Sequence, residues 1–146
     1  MRLIDCLDQS PACAFAANSS GACSDRSFGS KTGFYDLDNN QFLSYQEMVN
    51  ASVHVAGVLK QKGIQPGDVV ATYAPNSVAV YCCIFAISRL GAIWLPLNVR
   101  NTVEANLKLI DRSEASLVFL DESIAEKFPE LSRRFGDDNS VFLNGQ

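Results

Sequence analysis

The chain has 146 residues, of which 47% are apolar and 19% charged, and its formal net charge is −4. That length suits one folded domain, and the apolar fraction and small net charge exclude an intrinsically disordered chain. Twelve Lys and Arg residues are scattered among sixteen acids, so no basic patch is available and we expect no nucleic-acid partner.

The sequence also limits the cellular compartment. Asp5 and Asp8 lie where a secretory signal would need an apolar core, so we expect no such signal. The longest apolar run, residues 78–87, has about half the length that a membrane-spanning helix requires. Five cysteines without framework spacing are typical of free thiols in a reducing cytosol. These features predict a cytoplasmic protein with no membrane span.

The first predicted elements are a short helix, a loop and a β-hairpin. Residues 2–9 are amphipathic and predict the helix, and residues 10–32, rich in Ser, Ala, Gly and Asn, predict a flexible loop. Residues 33–37 and 41–44 are strand candidates joined across residues 38–40. Two such strands separated by a short polar turn indicate a hairpin.

A long helix follows the hairpin. Ser44 can cap it, Glu47 completes a capping box three residues later, and Gly63 is a natural stop. Helical spacing predicts that its buried face consists of Met48, Val49, Ser52, Val53, Ala56 and Leu59. His54 falls on the opposite face, so we expect a solvent-exposed histidine.

Strands and helices then alternate. Apolar strands are predicted at 69–73, 92–97, 117–120 and 141–143. The first predicted helix, residues 77–90, is apolar on nearly all sides, so we expect it to be buried on more than one face. The second is capped by Thr102 and has Val103, Leu107 and Ile110 on its buried face. The third is capped by Asp121, has Ile124, Phe128, Leu131 and Phe135 in register, and is kinked or restarted at Pro129. Continuous apolar strands that alternate with helices predict an α/β fold: a mostly parallel sheet with helices on both faces, preceded by a β-hairpin.

One segment could bind calcium. Residues 36–47 nearly fit the twelve-residue EF-hand loop, whose ligands are oxygen atoms at fixed positions. The candidate ligands are Asp36, Asp38, Asn40, the Phe42 carbonyl and Glu47. Gln41 stands where the loop needs glycine, and the preceding residues do not predict a helix. The other interpretation of this segment is a hairpin followed by a helix cap, so a small acidic calcium-binding module is kept as an alternative function.

No other constellation predicts chemistry. Residues 29–33 echo a phosphate-binding loop but lack the strand before it and the helix after it. The adjacent acids Asp121–Glu122 and Asp137–Asp138 are expected to be a helix cap and a loop, respectively. With a single exposed histidine, no nucleophile–base set can be assembled. Residue chemistry alone therefore predicts no catalytic, cofactor-binding or metal site.

Five motifs occur in a characteristic order. They are LSYQEM at 43–48, GIQPGDVV at 63–70, APNS at 74–77, RLGAIWLPLN at 89–98, and a helix and strand at 103–120. In this order they resemble the N-terminal part of the adenylate-forming superfamily, which contains acyl-CoA synthetases, aryl-CoA ligases, firefly-type luciferases and peptide-synthetase adenylation domains. The motif residues, all expected to be architectural, are Tyr45, Glu47, Gly67, Asp68, Pro75, Asn76, Gly91 and Pro96.

The resemblance implies a reaction in two steps. A carboxylate reacts with ATP to give an acyl-adenylate and pyrophosphate, and a thiol, usually coenzyme A, then takes the acyl group; magnesium accompanies the ATP. Trp94 and the NVRN stretch at 98–101 look more like acyl- or aryl-CoA ligases than peptide-synthetase modules. The resemblance therefore implies a ligase for a fatty or aryl acid.

The resemblance covers only the beginning of the family's catalytic domain. Its phosphate loop, nucleotide- and magnesium-holding residues, hinge and C-terminal lysine have no counterpart in this sequence. We therefore expect an N-terminal segment that is inactive alone and binds no cofactor, with residues 1–32 as a helix and flexible loop and residues 33–146 as an incomplete α/β subdomain. Its expected partner is the missing remainder of the enzyme, or a second copy through an exposed sheet edge; a non-catalytic interaction domain is the remaining alternative.

Overall fold

A β-hairpin precedes alternating strands and helices in the computed structural model, which describes residues 29–37, 40–127 and 129–143. The strands are β1 (Thr32–Asp36), β2 (Gln41–Ser44), β3 (Val69–Tyr73), β4 (Ile93–Pro96), β5 (Leu117–Asp121) and β6 (Ser140–Leu143). The helices are α1 (Tyr45–Gln61), α2 (Val78–Arg89), α3 (Val103–Ser113), α4 (Glu122–Lys127) and α5 (Pro129–Asn139). The predictions for residues 2–9, Asp38 and Phe128, and most of the predicted loop 10–32, lie outside the described residues.

The four later strands form one parallel sheet in the order β4-β3-β5-β6, and β1 and β2 form a separate antiparallel hairpin. β3 is central: Val70 pairs with Trp94 of β4 on one side and with Leu117 of β5 on the other. Parallel strands need crossover connections, which the helices supply. The predicted α/β fold with a mostly parallel sheet is confirmed.

Two apolar layers cover the sheet, one on each face. Side chains alternate along a strand, so Val70 and Leu117 pack in the layer that contains α1 and α2. Their neighbours Ala71 and Val118 pack in the opposite layer, with Ile110 of α3 and residues of α4 and α5. A Leu or Ile that is fully buried in these layers contributes roughly 1.5–3 kcal/mol relative to exposure. Helices therefore cover both faces, as predicted.

Helix α1 begins with the predicted capping box, but its buried face is rotated from the prediction. The buried residues are Met48, Ala51, Ser52, Val55, Ala56 and Leu59, whereas Val49 and Val53 are only half-buried. The face is turned by about 60° toward Ala51, whose small side chain faces the core. This rotation also corrects the prediction for His54, which is half-buried with its Nε2 atom enclosed.

Helix α2 is buried over an arc of about 160°, through Val80, Cys82, Cys83, Ala86 and Ile87. Tyr81 and Phe85, four residues apart, form an exposed stripe on the remaining side. The prediction was burial on more than one face: α2 packs against both α1 and the sheet, and the exposed stripe leaves the rest of its surface outside the core. The ring of Phe34, from the hairpin, lies 4.5 Å from that of Tyr81 and covers part of the stripe.

The last part of the chain differs from the prediction in one place. Asp121 ends β5 directly before α4, and Pro129 starts α5, as the predicted restart requires. Asp138, predicted in a loop, lies in α5, because helical turns resume after the break at Gly136, where φ is +70°. In the described part of the chain, no helix combines the length and apolar character needed to cross a bilayer.

Candidate functional site

The sheet topology points to a crevice between β3 and β5. The connection that leaves β3 passes over the face covered by α2, whereas the connection that leaves β5 passes over the opposite face, covered by α4 and α5. In open α/β sheets, ligands bind where neighbouring strands send their connections to opposite faces, outside the carboxyl ends of the strands. We call this side of the sheet the carboxyl edge and the other side the amino edge.

Three of the motif residues lie at the amino edge, remote from this crevice. The Gly67 N–H donates to the Gly91 carbonyl at 2.9 Å, and the Ile93 N–H donates to the Asp68 carbonyl at 2.8 Å. Gly67 and Gly91 have φ values of +92° and +69°, a conformation that glycine adopts without steric cost. These contacts join the turn before β3 to the turn before β4.

The motif residues Pro75, Asn76 and Pro96 lie at the carboxyl edge. Pro75 and Asn76 are exposed in the connection from β3 to α2, directly before Ser77, whose hydroxyl caps α2 by accepting from the Val80 N–H. Pro96 ends β4. These residues shape the border of the crevice, but none of them carries a charge or a nucleophile.

Trp94 is held against the central strand β3, and its side chain reaches Thr72 near the carboxyl edge. Its indole Nε1 donates to Thr72 Oγ1 at 2.9 Å, and Thr72 is almost fully buried. The Leu97 N–H donates to the Thr72 carbonyl at 2.9 Å, which extends the pairing of β3 and β4 by one residue. Trp94 is 39% exposed, so it is only partly covered by the described core.

Sequence analysis missed a group of three asparagines at the same edge. Asn106, on α3, is fully buried and donates from Nδ2 to the Asn98 carbonyl at 3.0 Å. Asn101 Nδ2 donates to Asn106 Oδ1 at 3.2 Å. The signal in the sequence that could have indicated this group is Asn106 itself, a polar residue on the core side of an amphipathic helix. A buried amide there must find hydrogen-bond partners, because leaving it unpaired costs free energy.

A tyrosine hydroxyl is enclosed at the end of β3. Tyr73 is fully buried, and its Oη atom has no hydrogen-bond partner in the described part of the chain. An unpaired buried hydroxyl costs about 1–3 kcal/mol. The surrounding residues are apolar, among them Leu97, Leu120 and Ile124.

The calcium-loop residues lie on a hairpin and a helix start. Asp36 ends β1, Phe42 is in β2, and Asn40 precedes β2, whereas Asp38 is outside the described residues. Glu47 Oε2 accepts hydrogen bonds from the Ser44 N–H at 2.7 Å and from Ser44 Oγ at 2.8 Å. Glu47 therefore serves the capping box of α1, and a strand precedes the loop where an EF-hand has a helix.

Among the described residues, neither the phosphate-loop candidate nor a cluster of metal ligands forms a site. Gly29–Lys31 is a turn that leads into β1, so residues 29–33 lack the strand–loop–helix geometry that cradles phosphate. No group of three or more His, Cys, Asp or Glu residues that could hold a metal occurs in the described part of the chain. Burial raises the pKa of Cys82 to about 11 and also raises that of Cys83, with the neighbouring Cys82 adding to the effect, so neither is a thiolate nucleophile.

Several known proteins are similar to this chain in sequence or in fold. The hybrid PKS-NRPS synthetase LUC5 from Fusarium sp is 28% identical over 94 residues, which is 64% of this chain and 2% of that protein. MatB from Rhodopseudomonas palustris, solved apo and ATP-bound, is 28% identical with a TM-score of 0.60, over 71% of this chain and 20% of MatB. The anthranilate CoA ligase AuaEII, solved with anthranoyl-AMP, shares the fold at 18% identity with a TM-score of 0.72, over 82% of this chain and 23% of that one.

The chain thus spans a quarter or less of the length of each of these proteins. Sequence relatives include a peptide synthetase and the solved structures include CoA ligases, so the matches fall on both sides of the predicted preference for CoA ligases. The family model described as AMP-binding enzyme matches residues 23–141, most of the chain. The chain therefore belongs to the AMP-binding enzymes, the adenylate-forming family that its motif order resembles.

Proposed function

We propose that the chain is the N-terminal segment of a cytoplasmic ATP-dependent carboxylate–CoA ligase and is not catalytically competent by itself. In the complete ligase a carboxylate oxygen attacks the α-phosphorus of ATP and pyrophosphate leaves. The thiolate of coenzyme A then attacks the acyl carbon and AMP leaves. A fatty or aryl acid is the proposed substrate, with magnesium bound to the ATP.

The observation that carries this proposal is a family sheet whose carboxyl edge, in the described residues, does not carry the full set of charged groups that nucleotide chemistry needs. The sheet, its turns and its helix caps are all in place, whereas the crevice is bordered by Pro75, Asn76 and Pro96. Transfer of a nucleotide needs positioned charges around the phosphates. We propose that most of those charges come from the remainder of the ligase.

The preference for coenzyme A over a peptide-synthetase partner rests on Trp94 and on residues 98–101. Both resemble acyl- and aryl-CoA ligases, and AuaEII, which has the same fold, is a CoA ligase. The structure gives these residues a defined setting, because Trp94 is bonded to β3 and the turn at 98–101 is bonded to α3. We therefore propose an acyl-CoA or aryl-CoA product.

The proposed partner is the remainder of the ligase, and the two outer strands of the sheet are not equally able to receive it. Ile93 and Leu97 direct their N–H groups to β3, so by alternation the nitrogen of Pro96 faces outward. Proline has no N–H, which makes β4 a poor template for another strand. β6 has neither proline nor charge, and Phe142 on it is 44% exposed. We therefore expect a further strand to pair with β6.

The reading frame beyond Gln146 tests the proposal. We expect it to continue into a Ser/Thr/Gly-rich loop with a lysine, and we expect the extended protein to form a hydroxylamine-trappable acyl-adenylate with a fatty or aryl acid. Addition of coenzyme A should then give an acyl-CoA. An extended protein that activates amino acids and loads no coenzyme A would contradict the proposed product class.

A further inference from the structure

The connection from β4 to α3 is a tight turn whose shape is fixed by hydrogen bonds. The Asn101 N–H donates to the Asn98 carbonyl at 3.1 Å, which closes the turn. Asn98 Oδ1 accepts from the Arg100 N–H at 2.9 Å, which fixes the residue at its tip. The turn follows directly on the carboxyl end of β4, so it lies on the side of the sheet where the crevice is.

Asn106 ties this turn to the body of the protein. It is fully buried on α3, and both ends of its amide are used, one on the Asn98 carbonyl and one on the Asn101 side chain. A buried amide is tolerated only when it is hydrogen-bonded, and a leucine would fill the same position without that requirement. Packing by an apolar residue at position 106 would have been enough to bury α3. The asparagine adds hydrogen bonds that hold the turn.

The held turn presents one cation at the carboxyl edge. Arg100 is exposed, and it makes no salt bridge within residues 29–37, 40–127 and 129–143. By contrast, Arg134 and Lys108 are paired with Asp111 and Glu104. Arginine matches the two-oxygen faces of carboxylates and phosphates, and ATP, coenzyme A and the carboxylic acid of the proposed reaction all carry such groups.

We propose that Arg100 is an oxyanion-contact residue of the crevice and that Asn106 is the positioning residue that holds it there. The inference rests on the proposed function for the nature of the ligand, which is an anion with a carboxylate or phosphate group. A guanidinium on a turn that is already ordered loses less conformational freedom on binding than one on an unordered loop. The geometry of residues 98–101 therefore sets the affinity for the anion as well as its place.

NMR titration of the 146-residue chain tests this without any catalysis. Inorganic pyrophosphate and benzoate are added separately, and the amides of residues 98–101 and the Arg100 Nε–H are followed. A saturable response to pyrophosphate identifies a phosphate contact, and a response to benzoate identifies a carboxylate contact. No response to either anion at millimolar concentration overturns the proposal, while the function proposed for the full ligase would stand.

Variants separate contact from positioning. Arg100→Gln should weaken the binding of the responding anion about tenfold, whereas Arg112→Gln, an exposed arginine at the other end of α3, should leave it unchanged. Asn106→Leu should weaken binding as much as Arg100→Gln does, although the guanidinium is retained. Asn101→Ala removes a bond to Asn106 from an exposed position and tests the same point should the leucine variant not fold. If folded Asn106→Leu or Asn101→Ala protein binds the anion as tightly as wild type, the positioning role of Asn106 is contradicted.

Discussion

The capping box of α1 makes a prediction whose size follows from its geometry. In Ser44→Ala the Glu47 N–H loses its acceptor, which lies 3.3 Å away, but the bond from the Ser44 N–H to Glu47 Oε2 remains. Loss of a cap side chain costs roughly 0.5–2 kcal/mol, and because half of the box survives we expect about 1 kcal/mol. For a chain of this length that lowers Tm by about 2–4 °C.

Thermal and urea unfolding followed by circular dichroism measure this loss. Ser88→Ala is the matched control, because Ser88 Oγ bonds to the Ile84 carbonyl within an exposed stretch of α2 and alanine is the better helix former there. The control should not lower Tm. A Ser44→Ala protein as stable as wild type, or an equal loss in both variants, would refute the assigned role of the box.

The same residues decide the calcium alternative. Glu47→Gln keeps a side chain that can complete a capping box but removes the carboxylate that an EF-hand loop needs in its last position. We expect millimolar calcium to leave Tm unchanged in both proteins. A rise in wild type that is absent in the variant would establish calcium binding by residues 36–47.

Three further predictions concern particular residues. Gly91→Ala should lower the free energy of unfolding by about 1–2 kcal/mol, because φ is +69° and the new Cβ meets Pro66 Cβ at 3.4 Å. The control Gly57→Ala should not lower it, because a Cβ at residue 57 meets no atom within 4 Å. Tyr73→Phe should raise the free energy of unfolding, measured by urea unfolding, by about 1 kcal/mol, since an unpaired buried hydroxyl is removed. Cys82 should resist iodoacetamide at pH 8 until the chain is unfolded. Because its pKa is raised to about 11 in the folded state from an ordinary value of 9.0, stability should fall as the pH rises from 9 toward 11.

Local signals in the sequence predicted most of the fold. Strand β2, strand β3 and the caps Ser44 and Thr102 lie where apolar runs and capping patterns indicated. These features depend on interactions between residues a few positions apart, which a sequence displays directly. Motif order then identified the family, because five weak patterns in a fixed order are specific together.

Features that depend on tertiary contacts were predicted less well. The buried face of α1 is set by where α2 and the sheet lie, so the sequence pattern placed it about 60° away. The asparagine contacts of Asn106 join residues five to eight positions apart across a turn and a helix, and no motif marks them. The function of the carboxyl edge was out of reach for a similar reason, since this chain spans a quarter or less of the length of the relatives it matches.

ATP–pyrophosphate exchange by the isolated 146-residue chain, measured with a panel of fatty and aryl acids, tests the central claim most directly. The described residues supply the family's sheet and turns, but beyond the single contact proposed for Arg100 they do not assemble the charges that must surround the phosphates, so we predict exchange no faster than the rate without protein. Robust carboxylate-dependent exchange from this chain alone would contradict the account, because it would require a complete adenylation site within these residues.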